Sequence, residues 1–132
     1  MTPHEITEAL HEALRLKLSG WELLLDTERA VAECNGIGAA WMPEFIRKFL
    51  DFILKLFAPA VAIHDRRYSL NEGDRNQWDD EFEFNCRTLV RNEFFWYDPR
   101  RYLSCLVARR LRAVLAIAGE IAWIQAGKEK NK

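Results

Sequence analysis

Residues 59–82, PAVAIHDRRYSLNEGDRNQWDDEF, contain the end of one helical pattern, a three-residue turn and the start of another. Asn71-Glu72-Gly73 is too short to do anything but fold the chain back, so a helix over 60–70 and a helix over 74–96 are expected to pack antiparallel, their axes about 8–10 Å apart. His64 lies eight residues before Glu72 and Asp79 seven after it. At the helical rise these are about 12 Å and about 10.5 Å from the turn, which sets the two side chains level. Around the second helix Asp79 falls in the direction of Phe82, Cys86, Leu89 and Val90, whereas Asp80 falls with Phe84, Arg87 and Arg91. A carboxylate in an apolar stripe costs several kcal/mol unless it is paired. His64 is the partner at the right height, and Tyr68, one turn further along, offers a hydroxyl to the same carboxylate. A base, an orienting acid and a donor converging on one point is the arrangement general-base catalysis requires.

Outward from this pair the whole chain reads as helix, and strand signals are nearly absent. A first helix is expected over 3–19, with Ile6, Leu10, Ala13, Leu14 and Leu18 on one stripe, and Gly20 interrupts it. A second helical stretch runs to about Cys34, followed by the glycine turn Asn35-Gly36-Ile37-Gly38. Pro43 stands where a helix would begin, and 43–57 is apolar on most faces, a candidate surface for self-assembly into an oligomer. Pro59 is expected to kink or restart that helix. Asp98-Pro99 reads as an N-cap and first helical position, opening a last helix to about Ala126, with a solvated tail over 128–132. The expected fold class is all-α: one helical domain over 1–132, without repeats or a linker.

Composition narrows the function classes. Hydrophobic residues at 49% and charged residues at 30% fit a soluble globular chain. A net charge of -1 lacks the basic footprint of a nucleic-acid binder. Cys34, Cys86 and Cys105 are odd in number and widely spaced, against a disulfide framework or a structural zinc site; Cys86 and Cys105 read as core thiols. The opening MTPHEITEALHEAL is unlike a signal peptide, and no charge-free apolar run reaches the roughly 20 residues of a membrane span, so a cytoplasmic setting is expected. His4 and His11 read as solvated helix positions. The run Phe94-Phe95-Trp96-Tyr97 reads as packing at a helix end, or alternatively as a membrane-interface or substrate-tunnel wall. The last helix, with Arg100, Arg101, Arg109, Arg110 and Arg112 in its first half, reads as an amphipathic core helix, or alternatively as one lying on anionic lipid.

Asp65 sits about 100° around the helix from His64 and must face something else. Glycines let the 35–38 turn fold tightly enough to aim carbonyls inward, and carbonyl oxygens with one carboxylate suit calcium, at a weak affinity on the order of 10⁻⁴–10⁻³ M. Three segments carry a resemblance. CNGIGA (34–39) resembles the calcium loop of secreted phospholipases A2, HDRRY (64–68) resembles that family's His-Asp-x-x-Tyr helix, and Asp79 in WDDEF (78–82) resembles its second-helix aspartate. The pattern is also similar to that of small phage and prophage proteins carrying Cys-Asn-Gly, Ile-His-Asp and Tyr in this order. The resemblance covers about 34–96, leaving the last helix, about 99–126, outside it. It implies a calcium-dependent hydrolase of phospholipid-type esters, with a phospholipid or membrane surface as partner. In it His64 activates water, Asp79 and Tyr68 hold the imidazole, and Asp65 binds calcium with the backbone oxygens of Cys34, Gly36 and Gly38. The chain departs from the secreted pattern in having no cysteine over 59–68, a longer stretch between Gly38 and His64, and Ala39 where a second glycine is usual. Those departures fit the alternative, a catalytically silent helical binding or structural module.

Overall fold

The structure is a computed structural model that describes residues 1–34 and 44–131. Among the described residues the regular elements are all helical: α1 (Pro3–Arg15), a short 3-10 helix (Trp21–Leu24), α2 (Thr27–Glu33), α3 (Glu44–Leu70), α4 (Arg75–Glu93) and α5 (Pro99–Lys130). Local chemistry sets most of their ends. Thr2 and Glu5 form a reciprocal capping box at α1, with Pro3 in the first turn. Asp26, Asp74 and Asp98 cap α2, α4 and α5 by accepting from the backbone N–H groups of Arg29, Asn76 and Arg100. α1 stops four residues short of the expected Ser19. Lys17 turns left-handed at φ 52°, its own N–H donating to the Leu14 carbonyl and that of Leu18 to the Ala13 carbonyl, a Schellman ending built without glycine.

Two expectations at α3 and α5 are overturned. Pro59 does not break the helix; α3 runs through it for 27 residues. An interior proline costs about 3 kcal/mol, but Phe57, Ala60, Val61, Ala62 and Ile63 around it are all buried. Burying one large apolar side chain is worth about 1.5–3 kcal/mol, so tertiary packing holds the helix across the lost hydrogen bond. α5 also continues past Ala126, through Gly127 to Lys130, and takes in most of the expected tail. Asn71 explains the fit at Gly127. Its side-chain amide donates to the Trp123 carbonyl at 2.8 Å, and a Cβ on Gly127 would lie 3.0 Å from its Oδ1.

The core is a cluster drawn from α1 (Ile6, Ala9, Ala13), the corner after it (Leu18, Leu24), α3 and α4 (Phe82, Cys86, Leu89, Val90), with Ala108 from α5. Polar groups fix the corner. The fully buried Asn85 amide accepts from Ser19 N and donates to Ser19 O, each at 2.9 Å. Arg66, buried in α3, donates to the Leu23 carbonyl at 3.2 Å and pairs with Glu33. Arg67 pairs with Glu81 through two 3.0 Å bonds that tie α3 to α4. The assembly surface expected over 43–57 rests largely on side chains outside those described; Phe52 is exposed and Phe57 is buried. Among the described residues no helix is long and apolar enough to cross a membrane.

Candidate functional site

α3 and α4 run back from the 71–74 turn, and the pairing expected from their heights is present: His64 Nε2 lies 2.9 Å from Asp79 Oδ1. The Tyr68 hydroxyl donates to the same oxygen at 2.7 Å. Asp79 is 0% exposed and His64 6%, which follows from the stripe of Asp79, Phe82, Cys86, Leu89 and Val90, all buried on α4. Asp80, one residue on, is exposed and pairs with Arg112 of α5 at 2.7 Å. Aromatic rings box in the imidazole, with the Tyr68 centroid 4.3 Å away and Phe82 at 5.2 Å, while Trp123 of α5 stands edge-on to Tyr68 at 5.3 Å.

Electrostatics assign the protons. Burial pushes the Asp79 carboxyl up, but the hydrogen bonds from His64 and Tyr68, with the charges of His64 and Arg75, outweigh it, and its pKa ends below the usual carboxylate value. Asp79 is thus an anion at neutral pH and can only accept. Burial, then the hydrogen bond to Asp79 and its charge, push the Tyr68 phenol up, so it stays a donor. A hydrogen bond from imidazole to an anion places the proton on Nε2 and leaves the lone pair on Nδ1. An imidazole oriented by a buried counter-charge has the chemistry to accept a proton from a bound water or hydroxyl.

The second expected cluster is brought together only in part. Burial, followed by the negative charge of Asp65, raises the Cys34 thiol to about 12, so the Asp65 carboxylate is near enough to Cys34 to act on it. The thiol itself donates to the Ala62 carbonyl at 3.4 Å. The Cys34 carbonyl, an expected calcium ligand, accepts from the α-ammonium of Met1 at 2.7 Å. Gly36 and Gly38 lie outside the described residues. Among the described residues no group of three or more histidine, cysteine or acidic side chains is placed to hold a metal. The described donors thus fit calcium only in part: Asp65 and the Cys34 oxygen have the right hard-oxygen chemistry, yet a cation already sits on the latter.

Sequence reasoning missed three neighbours of the site. Phe82 was read only as part of the apolar stripe, and Trp123 and Arg75 were given no place beside the site. Arg75 had a signal: it lies one turn before Asp79 on the same helix. His4 pairs with Glu8 at 3.1 Å with both side chains solvated. Comparison with family models, curated proteins and solved structures finds no match to this chain.

Proposed function

We propose that the chain is a hydrolase of phospholipid-type esters in which His64 is the general base. The observation that carries this reading is the contact between Nε2 and the buried Asp79 carboxylate, because an Nε2–H that donates to Asp79 leaves Nδ1 of the neutral ring as the basic nitrogen. Nδ1 removes a proton from water, the resulting hydroxide attacks the acyl carbon, and the alkoxide leaving group takes the proton back from the imidazolium. Asp79 stabilises that imidazolium through the same hydrogen bond, and Tyr68 keeps Asp79 ionised and in place. The ester class is taken from the resemblance of 34–39, 64–68 and 78–82 to phospholipases A2. Calcium, where bound by Asp65 with the carbonyls of Cys34, Gly36 and Gly38, would supply positive charge for the oxyanion of the ester.

The test is fatty-acid release from phospholipid vesicles by purified protein, with calcium and with chelator, against His64→Ala. Loss of an acid–base catalyst lowers the rate by about 10²–10⁴-fold. Release that is absent, or equal in wild type and variant, removes the proposal.

Two observations favour a second reading, a catalytically silent helical module. The Cys34 carbonyl is engaged by an ammonium, and His64 is sealed among Tyr68, Phe82 and Asp79 as a satisfied core histidine would be. That reading expects wild type and His64→Ala to differ in stability alone.

A further inference from the structure

Among the described residues, the corner between α4 and α5 is where most aromatic surface is exposed. Phe94 closes the core, but Phe95, Trp96 and Tyr97 after it, and Tyr102 in the first turns of α5, are each 65% to 72% exposed. They form a built patch. Phe95 and Tyr97 stack with planes 2° apart, Trp96 meets Tyr97 edge-on, and the Tyr102 hydroxyl donates to the Trp96 carbonyl at 3.0 Å. The patch continues up α5. At 100° per residue Tyr102, Leu103, Leu106 and Arg110 share one face, with Arg109 at its edge, opposite the buried Ser104 and Ala108. Leu103 and Leu106 are each about half exposed. The helix is therefore apolar on its outer side as well as its inner one, over about 12 Å from Tyr102 to Arg110.

Charge selects the occupant. Over 91–112, with Arg100 paired to Asp98 and Arg112 to Asp80 of α4, four arginines (91, 101, 109 and 110) stand against one further carboxylate, Glu93, in a chain of net charge -1. No carboxylate lies within 99–113, and Asp98 is already paired with Arg100 at 2.7 Å. Arg109 and Arg110 are exposed and form no ion pair among the described residues. Tryptophan and tyrosine at headgroup depth, leucines below them and arginines for phosphate are what an anionic bilayer surface accepts. A second copy of the chain would bring a like-charged face, and a nucleic acid would leave Leu103 and Leu106 without an apolar partner.

We infer that the α4–α5 corner is a docking surface for anionic lipid bilayers, with Phe95, Trp96, Tyr97, Tyr102, Leu103 and Leu106 entering the interface and Arg109 and Arg110 on the headgroups. Along α4 the corner is about 22 Å from Asp79, so it holds the protein at a membrane rather than lining the His64 site, and it stands whether or not the ester reading does.

The experiment is co-sedimentation of the full chain with vesicles of phosphatidylcholine alone or containing one-quarter phosphatidylglycerol. It compares wild type, Arg109→Glu/Arg110→Glu, Trp96→Ser/Leu106→Ser and His64→Ala, with circular dichroism as the check on folding. Wild type and His64→Ala bind the anionic vesicles alike, and both double variants bind at least about tenfold more weakly, the arginine pair by roughly a factor of five per interfacial charge and the Trp96/Leu106 pair through lost apolar burial. No wild-type binding to anionic vesicles, or equal binding by the folded variants, overturns the inference. So does sedimentation as a dimer that Trp96→Ser/Leu106→Ser dissociates, since a second copy then covers the face. Preferential capture by an oligonucleotide that competes the vesicles away overturns it as well.

Discussion

Asp79 Oδ1 accepts from His64 Nε2 at 2.9 Å and from the Tyr68 hydroxyl at 2.7 Å, so one oxygen of a fully buried carboxylate receives both donors presented by α3. Its other oxygen, Oδ2, is buried with no hydrogen-bond partner among the described residues. The imidazole and the phenol therefore depend on each other's anchor, and perturbing either reads out on the other.

Tyr68→Phe removes one of the two donors and leaves the ring contacts with His64 and Trp123. A hydrogen bond to a charged group is worth about 1.5–3 kcal/mol. The variant should fold, unfold at lower urea by that amount, and lose less hydrolytic rate than His64→Ala. Equal stability of Tyr68→Phe and wild type in urea titrations would show that the 2.7 Å contact contributes nothing.

Stability should fall at both ends of the pH scale. The Asp79 pKa is lowered by folding, so its contribution is present above the unfolded value of about 3.9 and is lost as pH falls through the folded one. Burial raises the pKa of the Cys34 thiol to about 12 and pushes up Tyr68 and Cys86 as well. Their contributions are complete below the unfolded values, about 8.5 for thiols and about 10 for tyrosine, and drain away as pH rises toward the folded ones. Urea midpoints in reducing buffer from pH 3 to 11 should trace a plateau between these limits. Asp79→Asn, which still accepts through its amide oxygen, should flatten the acid limb; an unchanged acid limb assigns it to other carboxylates.

Asn85→Ala strips both partners from the backbone of Ser19, the acceptor of its N–H and the donor to its C=O. Ser19 itself is exposed and water can reach its backbone, so each bond is worth its net value of about 0.5–1.5 kcal/mol, and a loss of about 1–3 kcal/mol is expected from denaturant titration. A loss below 1 kcal/mol means that the corner relaxes to find other partners.

The calcium expectation has its own readout, independent of turnover. A site of about 1 mM affinity adds roughly 1.4 kcal/mol to folding at 10 mM calcium by mass action. The thermal midpoint of wild type should rise by a few degrees and that of Asp65→Asn should not. A rise shared by both excludes Asp65 as a ligand, and no rise in either removes the ion from the proposed mechanism.

The His64–Asp79 contact was legible because it needs only a turn of known length, the helical rise and an acid lying in an apolar stripe. The same logic would have found Asn85, which lies between Phe82 and Leu89 on that stripe, since a polar residue there also demands a partner. Its partner is the backbone of Ser19, and nothing in local pattern announces a side chain-to-backbone bond spanning 66 residues. Pro59 and Gly127 misled for one reason: both are helix breakers by intrinsic propensity, and both sit where burial or a neighbouring side chain outweighs it. The Cys34 carbonyl was read as a metal ligand because a backbone oxygen carries no mark of what will bond to it. The run 94–97 was read first as packing at a helix end, and that holds for Phe94 alone; Phe95, Trp96 and Tyr97 are exposed, which the run's composition does not announce.

Gly20 turns left-handed at φ +87°, and a Cβ built there would sit 2.8 Å from a methyl of Ile63, the residue before His64, and 3.1 Å from the Arg67 guanidinium. The bend after α1 is thereby the backstop that sets how far the helix bearing the imidazole can rotate toward it. A deep mutational scan read by activity would therefore score position 20 among the most intolerant sites, although glycine there touches no reactant. Intolerance at that bend would measure the clearance of one methyl group.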